Sequence, residues 1–280
     1  MQSEISERFH ALAGIPESQL GLAEGALVLA AEVRPQLDIT LGLRVVSELV
    51  ERTRPLIDAA STPSGAVAAL NHGLFEVERF RGNREHYDDP RNSDLDEVLS
   101  RRRGLPITLS ILYVEVARQL GLEAYGVGFP GHFLAKIVGV SDSPDEEVIV
   151  DPFFARTLRK KDCTERLRAA IGEESPDSRQ WLRPATALEI YVRMLNNLKM
   201  LYLRVGDGLS ALSCFDRILV LAPRAALEFR DRGHLLERLD CVRAAIDDYS
   251  HFLELAPDHE DALAVRRLRD ALSQRKPVLN

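Results

Sequence analysis

The chain has 280 residues, 45% of them hydrophobic and 28% charged, a globular composition with length enough for two ordinary domains. Its formal net charge of −7 argues against a nucleic-acid backbone as the main partner, and its three cysteines, Cys163, Cys214 and Cys241, lack the spacing of a zinc site or a disulfide framework. The N-terminus has no basic start followed by an apolar core, and the longest apolar run is too short to span a bilayer, so the chain is expected to be cytoplasmic with no membrane partner.

The first hundred residues read as helices. "EGALVLAAEV" is one, stopped near Pro35. "DITLGLRVVSELVERTR" is a second, with Asp38 as its N-cap and an apolar face through Leu41, Val45 and Leu49. "SGAVAALNHGLFEVERF" is a third. The polar stretch "RGNREHYDDPRNS" follows, rich in turn formers. Ser93 is placed to cap "DLDEVLSRRR", and Gly104 to end it. Pro106 then stands at a helix start, where its missing N–H costs nothing. "PITLSILYVEVARQL" carries Leu109, Leu112, Val116 and Leu120 on one stripe, predicting a mostly buried helix closed by Gly121.

The texture then changes. "LEAYGVGF", "HFLAKIVG" and "EVIVDPF" predict three short strands, separated by "PG" and by "SDSPDE". They should form an antiparallel sheet packed on the preceding helix. "KDCTERLRAAIG" predicts another helix with Asp162 as its cap.

From Thr186 the chain is helical again, opened by a capping box of Thr186 and Glu189. "CFDRILVLAP" ends at Pro223 and "DYSHFLELAP" at Pro257, 34 residues later. At the same offset Ala211 meets Ala245, Phe215 meets Tyr249, Leu219 meets Leu253 and Leu221 meets Leu255. A helix–turn–helix period of this length, with small residue, aromatic and terminal proline, is the tetratricopeptide pattern. "HEDALAVRRLRDALSQ" reads as the capping helix.

The segment "FRGNREHYDDPRNSDLDEVLSRRRGLPITLSILYVEVARQLGLEAYGVGFPGHFLAKI", with "DPF" beyond it, closely resembles the SirB1 family of bacterial proteins. That family joins a transglutaminase-like domain to tetratricopeptide repeats. The resemblance covers most of the chain and implies a fold rather than a reaction. The family name implies a regulatory association. Part of the chain is also similar to an F-box protein of animals, which implies a binding role.

Active transglutaminase-like enzymes place a cysteine at the N-terminus of the central helix, with a histidine and an aspartate on the following strands. The helix end lowers the thiol pKa, the histidine exchanges the proton, and the carboxylate orients the ring. By this resemblance His132, in "GHF", and Asp151, in "DPF", match two of the three members. In the family pattern the cysteine stands about fifteen residues, some four helical turns, before the glycine that ends the helix. Counted back from Gly121, that register falls on Pro106, or on Ile107 with a slip of one, and neither is a nucleophile.

Thr108 and Ser110, on the same helix, are the remaining candidate nucleophiles. The alternative for both is a hydroxyl bonded to backbone carbonyls in a buried helix. Cys163 lies near a helix start but after the aspartate, out of order, and Asp162 beside it opposes a thiolate. Cys214 and Cys241 are expected to be packing residues. The His132–Asp151 pair reads either as a retained dyad or as a satisfied polar pair.

Arg81, Asn83, Tyr87, Asp88 and Asn92, in the polar loop, are candidates to surround a His132 cleft; the alternative is a loop pinned by its own Asx and Arg contacts. "RRR" at 101–103 reads as an anion site or as a solvated helix end. The seven histidines form no HExxH arrangement, "SDSPDEE" lacks EF-hand spacing, and no phosphate-binding glycine loop occurs, so no metal and no cofactor are expected.

The fold class expected is α+β: a transglutaminase-like (papain-like core) domain over 1–184, with a helical N-terminal layer and a small antiparallel sheet, then an all-α tetratricopeptide unit over 185–280. The expected function is non-enzymatic, with the repeats presenting a groove to a protein or peptide partner. The alternative is a hydrolase or acyltransferase on amide bonds, using His132, Asp151 and Ser110 or Thr108, or an activated water. Direct DNA contact is disfavoured by the acidic balance.

Overall fold

The structure, a computed structural model, describes residues 2–16, 19–139, 147–172 and 181–274. The expected turn at 141–146 lies outside the described residues. The chain divides into two compact units, residues 1–194 and 195–280. The expected boundary at 184/185 stands before a helix, and the division falls inside that helix.

In the first unit, helices α1 (Gln2–Leu12), α2 (Leu22–Val33), α3 (Ile39–Asp58), α4 (Pro63–Asn71) and α5 (Leu95–Arg101) precede the central helix α6 (Pro106–Gln119). Asp38 caps α3 as its sequence predicts, accepting the Leu41 N–H at 3.1 Å. The apolar face of α3 is not the expected one. Leu41 is 46% exposed, and the buried face is Ile39, Gly42, Val46, Leu49, Val50 and Thr53. An i, i+4, i+8 row drifts by about 80° around a helix, which carries Leu41 off the core that holds Leu49. Helix α4 passes into a π-helical turn at His72–Val77, within the stretch expected to be one helix.

Two further expectations about ends are corrected. Ser93 closes a 3-10 turn (Pro90–Ser93), and Asp94 is the residue before α5. Arg102, at φ +57°, ends α5 in the left-handed region before Gly104 is reached. Gly104 instead pairs in a short parallel ladder, β1 (Arg81–Gly82) with β2 (Arg103–Gly104).

Helix α6 starts at Pro106 and is buried along nearly its whole length, from Pro106 to Val114 and again at Val116 and Ala117. It touches α2, α3 and strands β3 (Glu123–Val127) and β4 (Leu134–Val138). Gly121, at φ +85°, terminates it as expected. The sheet continues through β5 (Glu147–Asp151) to β6 (Arg156–Leu158), all antiparallel in the order β3-β4-β5-β6. The three-residue β6 was not expected from sequence; it is too short to carry an alternation.

Helix α7 (Lys160–Ile171) buries Cys163 and Leu167 against Val127, Leu134, Ile149 and Leu158. Those strand residues share one face of the sheet by the period of two. Asp162 is not its cap. It sits at the third helical position and accepts the Arg159 N–H at 2.8 Å. Helix α8 (Ala187–Val205) opens with the expected capping box: Glu189 accepts the Thr186 N–H at 2.9 Å and Thr186 Oγ1 accepts the Glu189 N–H at 3.2 Å.

The second unit holds α9 (Gly208–Leu221), α10 (Ala226–Arg238), α11 (Val242–Leu255) and α12 (Ala262–Ser273), with successive helices in contact. Ala211 and Ala245, Phe215 and Tyr249, and Leu219 and Leu253 are buried as equivalent pairs. Tyr249 packs against Gly233, where a Cβ would come within 2.7 Å of the ring.

Gly82 is the glycine that positions the site described next. A Cβ there would meet the Phe153 ring at 2.5 Å, and its N–H donates to the Phe153 carbonyl at 3.0 Å. Gly82→Val is expected to destabilise by about 1–3 kcal/mol through overpacking, read as a lowered denaturation midpoint. An unchanged midpoint would show that Phe153 is free to yield.

Candidate functional site: a histidine–aspartate–arginine cluster

His132 ends a tight turn. Phe129-Pro130-Gly131-His132 places proline second and glycine third, the type II pattern. Gly131 has φ +65°, and the His132 N–H donates to the Phe129 carbonyl at 3.0 Å. Asp151 is the last residue of β5. Because Ala135 pairs with Val150 in the antiparallel ladder, the chain direction brings Asp151 to the start of β4, beside His132.

The Asp151 carboxylate has no exposed surface. His132 Nε2 lies 2.9 Å from its Oδ1, Arg166 Nη1 donates to Oδ2 at 2.8 Å, and the Phe154 N–H donates to Oδ1 at 3.2 Å. Burial pushes the Asp151 pKa up, but the bonds and charges of His132 and Arg166 outweigh it and hold the group below the usual carboxylate range. An ionised carboxylate only accepts, so His132 Nε2 is the donor, and Nδ1 is the ring atom left for other work. Asp151 shares the sheet face that α7 covers, which is why Arg166 of α7 reaches it. Sequence reasoning missed Arg166. The signal was thermodynamic: a carboxylate at the end of a buried strand needs a cation, and α7 carries the candidates.

Aromatic rings frame the histidine. Its ring stacks on Phe154, with centroids 5.8 Å apart, and meets Phe153 edge-on at 6.0 Å. Phe154 is 41% exposed, and the guanidinium groups of Arg84, Arg156 and Arg166 stand 5.4–5.5 Å from its centroid.

The other sequence candidates are placed as follows. Pro106 and Ile107 occupy the first two positions of α6, both buried. Thr108 Oγ1 donates to the Asn92 carbonyl at 2.8 Å and accepts the Leu105 N–H at 3.0 Å. Ser110 Oγ donates to the Phe133 carbonyl at 3.4 Å. Both hydroxyls are fully buried. His132 has no side-chain hydrogen bond other than that to Asp151 among the described residues. Cys163 is buried, and desolvation pushes its thiol up to about 11, so it is a packing group. Cys214 is buried with its pKa likewise raised by desolvation, whereas Cys241, expected to pack, is exposed just before α11.

In the polar loop, Asn92 is fully buried and is a pin rather than a cleft wall. Its Nδ2 donates to the His86 and Tyr87 carbonyls at 2.7 and 3.2 Å, and its Oδ1 accepts from Asn83 at 3.0 Å and Arg101 at 2.6 Å. Tyr87 reaches the aromatic cluster, edge-on to Phe153 at 5.9 Å. Arg81 and Asp88 are exposed. The 101–103 arginines are not a solvated helix end. Arg101 bonds Asp89 and Asn92, Arg102 pairs with Glu78 over the Phe80 ring, and Arg103 bonds the Arg102 carbonyl. Among the described residues no group of His, Cys, Asp and Glu is placed to hold a metal ion, and no helix is long and apolar enough to cross a membrane.

The depressed Asp151 pKa fixes the sign of a pH effect. The stabilisation is fully present above the unfolded carboxylate pKa, about 4, and is lost as pH falls through the lower folded value. Asp151→Asn is expected to cost about 3 kcal/mol at pH 7, because it leaves Arg166 and His132 without their counter-charge. The gap to wild type should narrow as pH falls below about 4. Urea unfolding at neutral and acid pH checks this, and a gap independent of pH would count against it.

Two family models match the chain: the transglutaminase-like superfamily over residues 42–196 and the tetratricopeptide repeat over 198–270. A UPF0162 protein of Xylella fastidiosa is 37% identical over 259 residues, covering 91% of each chain. A UPF0162 protein of Pseudomonas aeruginosa is 32% identical over 256 residues, again 91% of each. F-box only protein 21 of Mus musculus is 44% identical over 73 residues, 26% of this chain and 12% of that protein. No solved structure matches. The chain therefore belongs to the transglutaminase-like superfamily, in the UPF0162 (SirB1-like) group that carries tetratricopeptide repeats behind that domain.

Proposed function

We propose that the chain is a non-enzymatic interaction protein, in which residues 1–184 are a transglutaminase-like scaffold without its nucleophile and residues 185–280 bind a protein or peptide partner. One observation carries this reading: the free nitrogen of His132 has no thiol or hydroxyl within hydrogen-bond reach among the described residues. A nucleophile must touch its base, and Thr108 and Ser110 spend their protons on backbone carbonyls. Tetratricopeptide repeats are a peptide-binding architecture, and exposed apolar side chains occur along the helices of the unit, among them Met200 on α8, Leu209 on α9, Leu227 on α10 and Leu263 on α12. Three unpaired thiols accord with a reducing, cytoplasmic setting.

The alternative is amide hydrolysis by a water activated at His132 Nδ1. The intact His132–Asp151 bond is the observation that favours it.

Affinity capture with the full chain separates the two. His132→Gln keeps a donor for Asp151 but removes the base, and is expected to retain partners. Met200→Glu, Leu227→Glu and Leu263→Glu together are expected to lose them, with helical content unchanged. Turnover of an amide substrate by wild type that His132→Gln abolishes would sink the non-enzymatic reading.

A further inference from the structure

A second site lies behind the turn that carries His132. A cavity of about 550 Å³ is lined by Gly128, Phe133, Trp181, Ala185 and Arg193, with the Arg183–Glu189 pair at its wall. Among the described residues its charges do not balance. Arg183 and Glu189 form a closed two-bond pair, Nη2 to Oε1 at 2.6 Å and Nη1 to Oε2 at 3.0 Å. Glu189 also accepts the Thr186 N–H, so both of its oxygens are committed. Arg193 is half-buried and has no carboxylate partner among the described residues. Its Nη2 donates to the Phe129 and His132 carbonyls at 2.9 and 2.6 Å. Its guanidinium stands 5.3 Å from the Phe133 centroid. Its Nη1 lies beside Gly128, where even a Cβ would come within 3.2 Å. Burial without a counter-ion holds its pKa below the ordinary guanidinium value.

A second, independent group points the same way. Trp181 Nε1 is buried and has no acceptor among the described residues. Buried donors in folded proteins are nearly always satisfied, and an unsatisfied one costs about 1–3 kcal/mol. Among the described residues, one cavity therefore holds a guanidinium without a counter-ion and contains in its wall an indole whose N–H is unpaired.

We propose that this cavity binds a monocarboxylate carrying an apolar or aromatic group. A carboxylate accepts only, matches the planar fork of Arg193, and supplies the single negative charge that is missing. A phosphate dianion would bring a second charge toward the wall that holds Glu189. Phe133, Trp181 and Ala185 offer the apolar body its surface, and the volume is that of a small-ligand site. The carboxylate belongs to a free small acid or to the C-terminus of a peptide. Because Nη2 stays on the turn, the ligand engages the remaining N–H groups and leaves the His132 turn in place.

Trp181 is the one tryptophan of the chain, so its fluorescence reports on the cavity. The full-length protein is titrated with 3-phenylpropionate, 3-phenylpropionamide, N-acetylglycylphenylalanine as free acid, and inorganic phosphate. The expected result is a saturable change with at least one carboxylate, roughly tenfold or more tighter than with the amide or phosphate. Tighter binding of the dipeptide identifies a peptide C-terminus, and tighter binding of phenylpropionate a small acid. Arg193→Met should abolish the response. Since that variant also releases the turn, Ala185→Phe provides a separate arm: it fills the cavity, keeps the guanidinium, and should also abolish binding. Equal responses to acid and amide, preference for phosphate, undiminished binding in Ala185→Phe, or no response to either acid would overturn the proposal.

Discussion

The buried Asp151 carboxylate organises the transglutaminase-like unit. A charge with no exposed surface is tolerable only when donors and cations answer it, and Asp151 is answered from three directions. The turn before β4 supplies His132, α7 supplies Arg166, and the chain just after β5 supplies the Phe154 N–H. One interaction thus ties the sheet, the helix that covers it and the loop beyond it. The same saturation limits its chemistry. A carboxylate that serves both an arginine and a histidine is a structural junction first. It orients the imidazole with or without a nucleophile, so the persistence of the pair is weak evidence that a reaction persists.

Around that junction the local charge reverses the sign of the whole. The chain carries a net charge of −7, yet Phe154 is ringed by three guanidinium groups. Arg166 is spent on Asp151, while Arg84 and Arg156 make their contacts through the ring face. Cations set over an exposed ring are attracted by its face and so help to hold it in place. This explains how Phe154 stays stacked on His132 while 41% of it is exposed, and how the histidine is shielded without being enclosed.

What was legible in the sequence was local or periodic. Asp38, Pro106, Gly121 and the Thr186–Glu189 box act within one helical turn, and each does what its residue type predicts. The 34-residue offset survives as helices α9 and α11, which begin and end at equivalent positions. The site was legible in halves. His132 and Asp151 could be named from the family pattern, but Arg166 belongs to no motif and is recruited by burial. Asn92 looked like a loop residue able to line a cleft; its four-way bonding makes it the loop's internal pin, a role set by contacts with His86, Tyr87, Asn83 and Arg101. Leu41 and Ser93 failed for a shared reason. Each sits one step from the residue that took the role, and a step around a helix or along a cap is decided by tertiary packing.

The repeat unit shows where periodicity itself runs out. Arg232 of α10 bonds Asp248 of α11 through two nitrogens and Asp216 of α9 through a third, so one half-buried guanidinium ties three successive helices. Lys199 does the same for α8, paired with Glu228 and seated over the Phe215 ring. These are rigidifying bonds inside a short array, and rigidity is what a presenting surface requires. The equivalent leucines then part company: Leu221 is 5% exposed and Leu255 is 37% exposed. Their sequence contexts match, so the difference comes from what stacks next. Among the described residues α12 packs on α11 yet leaves Leu255 more than a third exposed. Leu255 on α11 and Leu263 on α12 are thus apolar surface that the packing of these two helices leaves open, and exposed apolar side chains that lie together are what a binding partner covers.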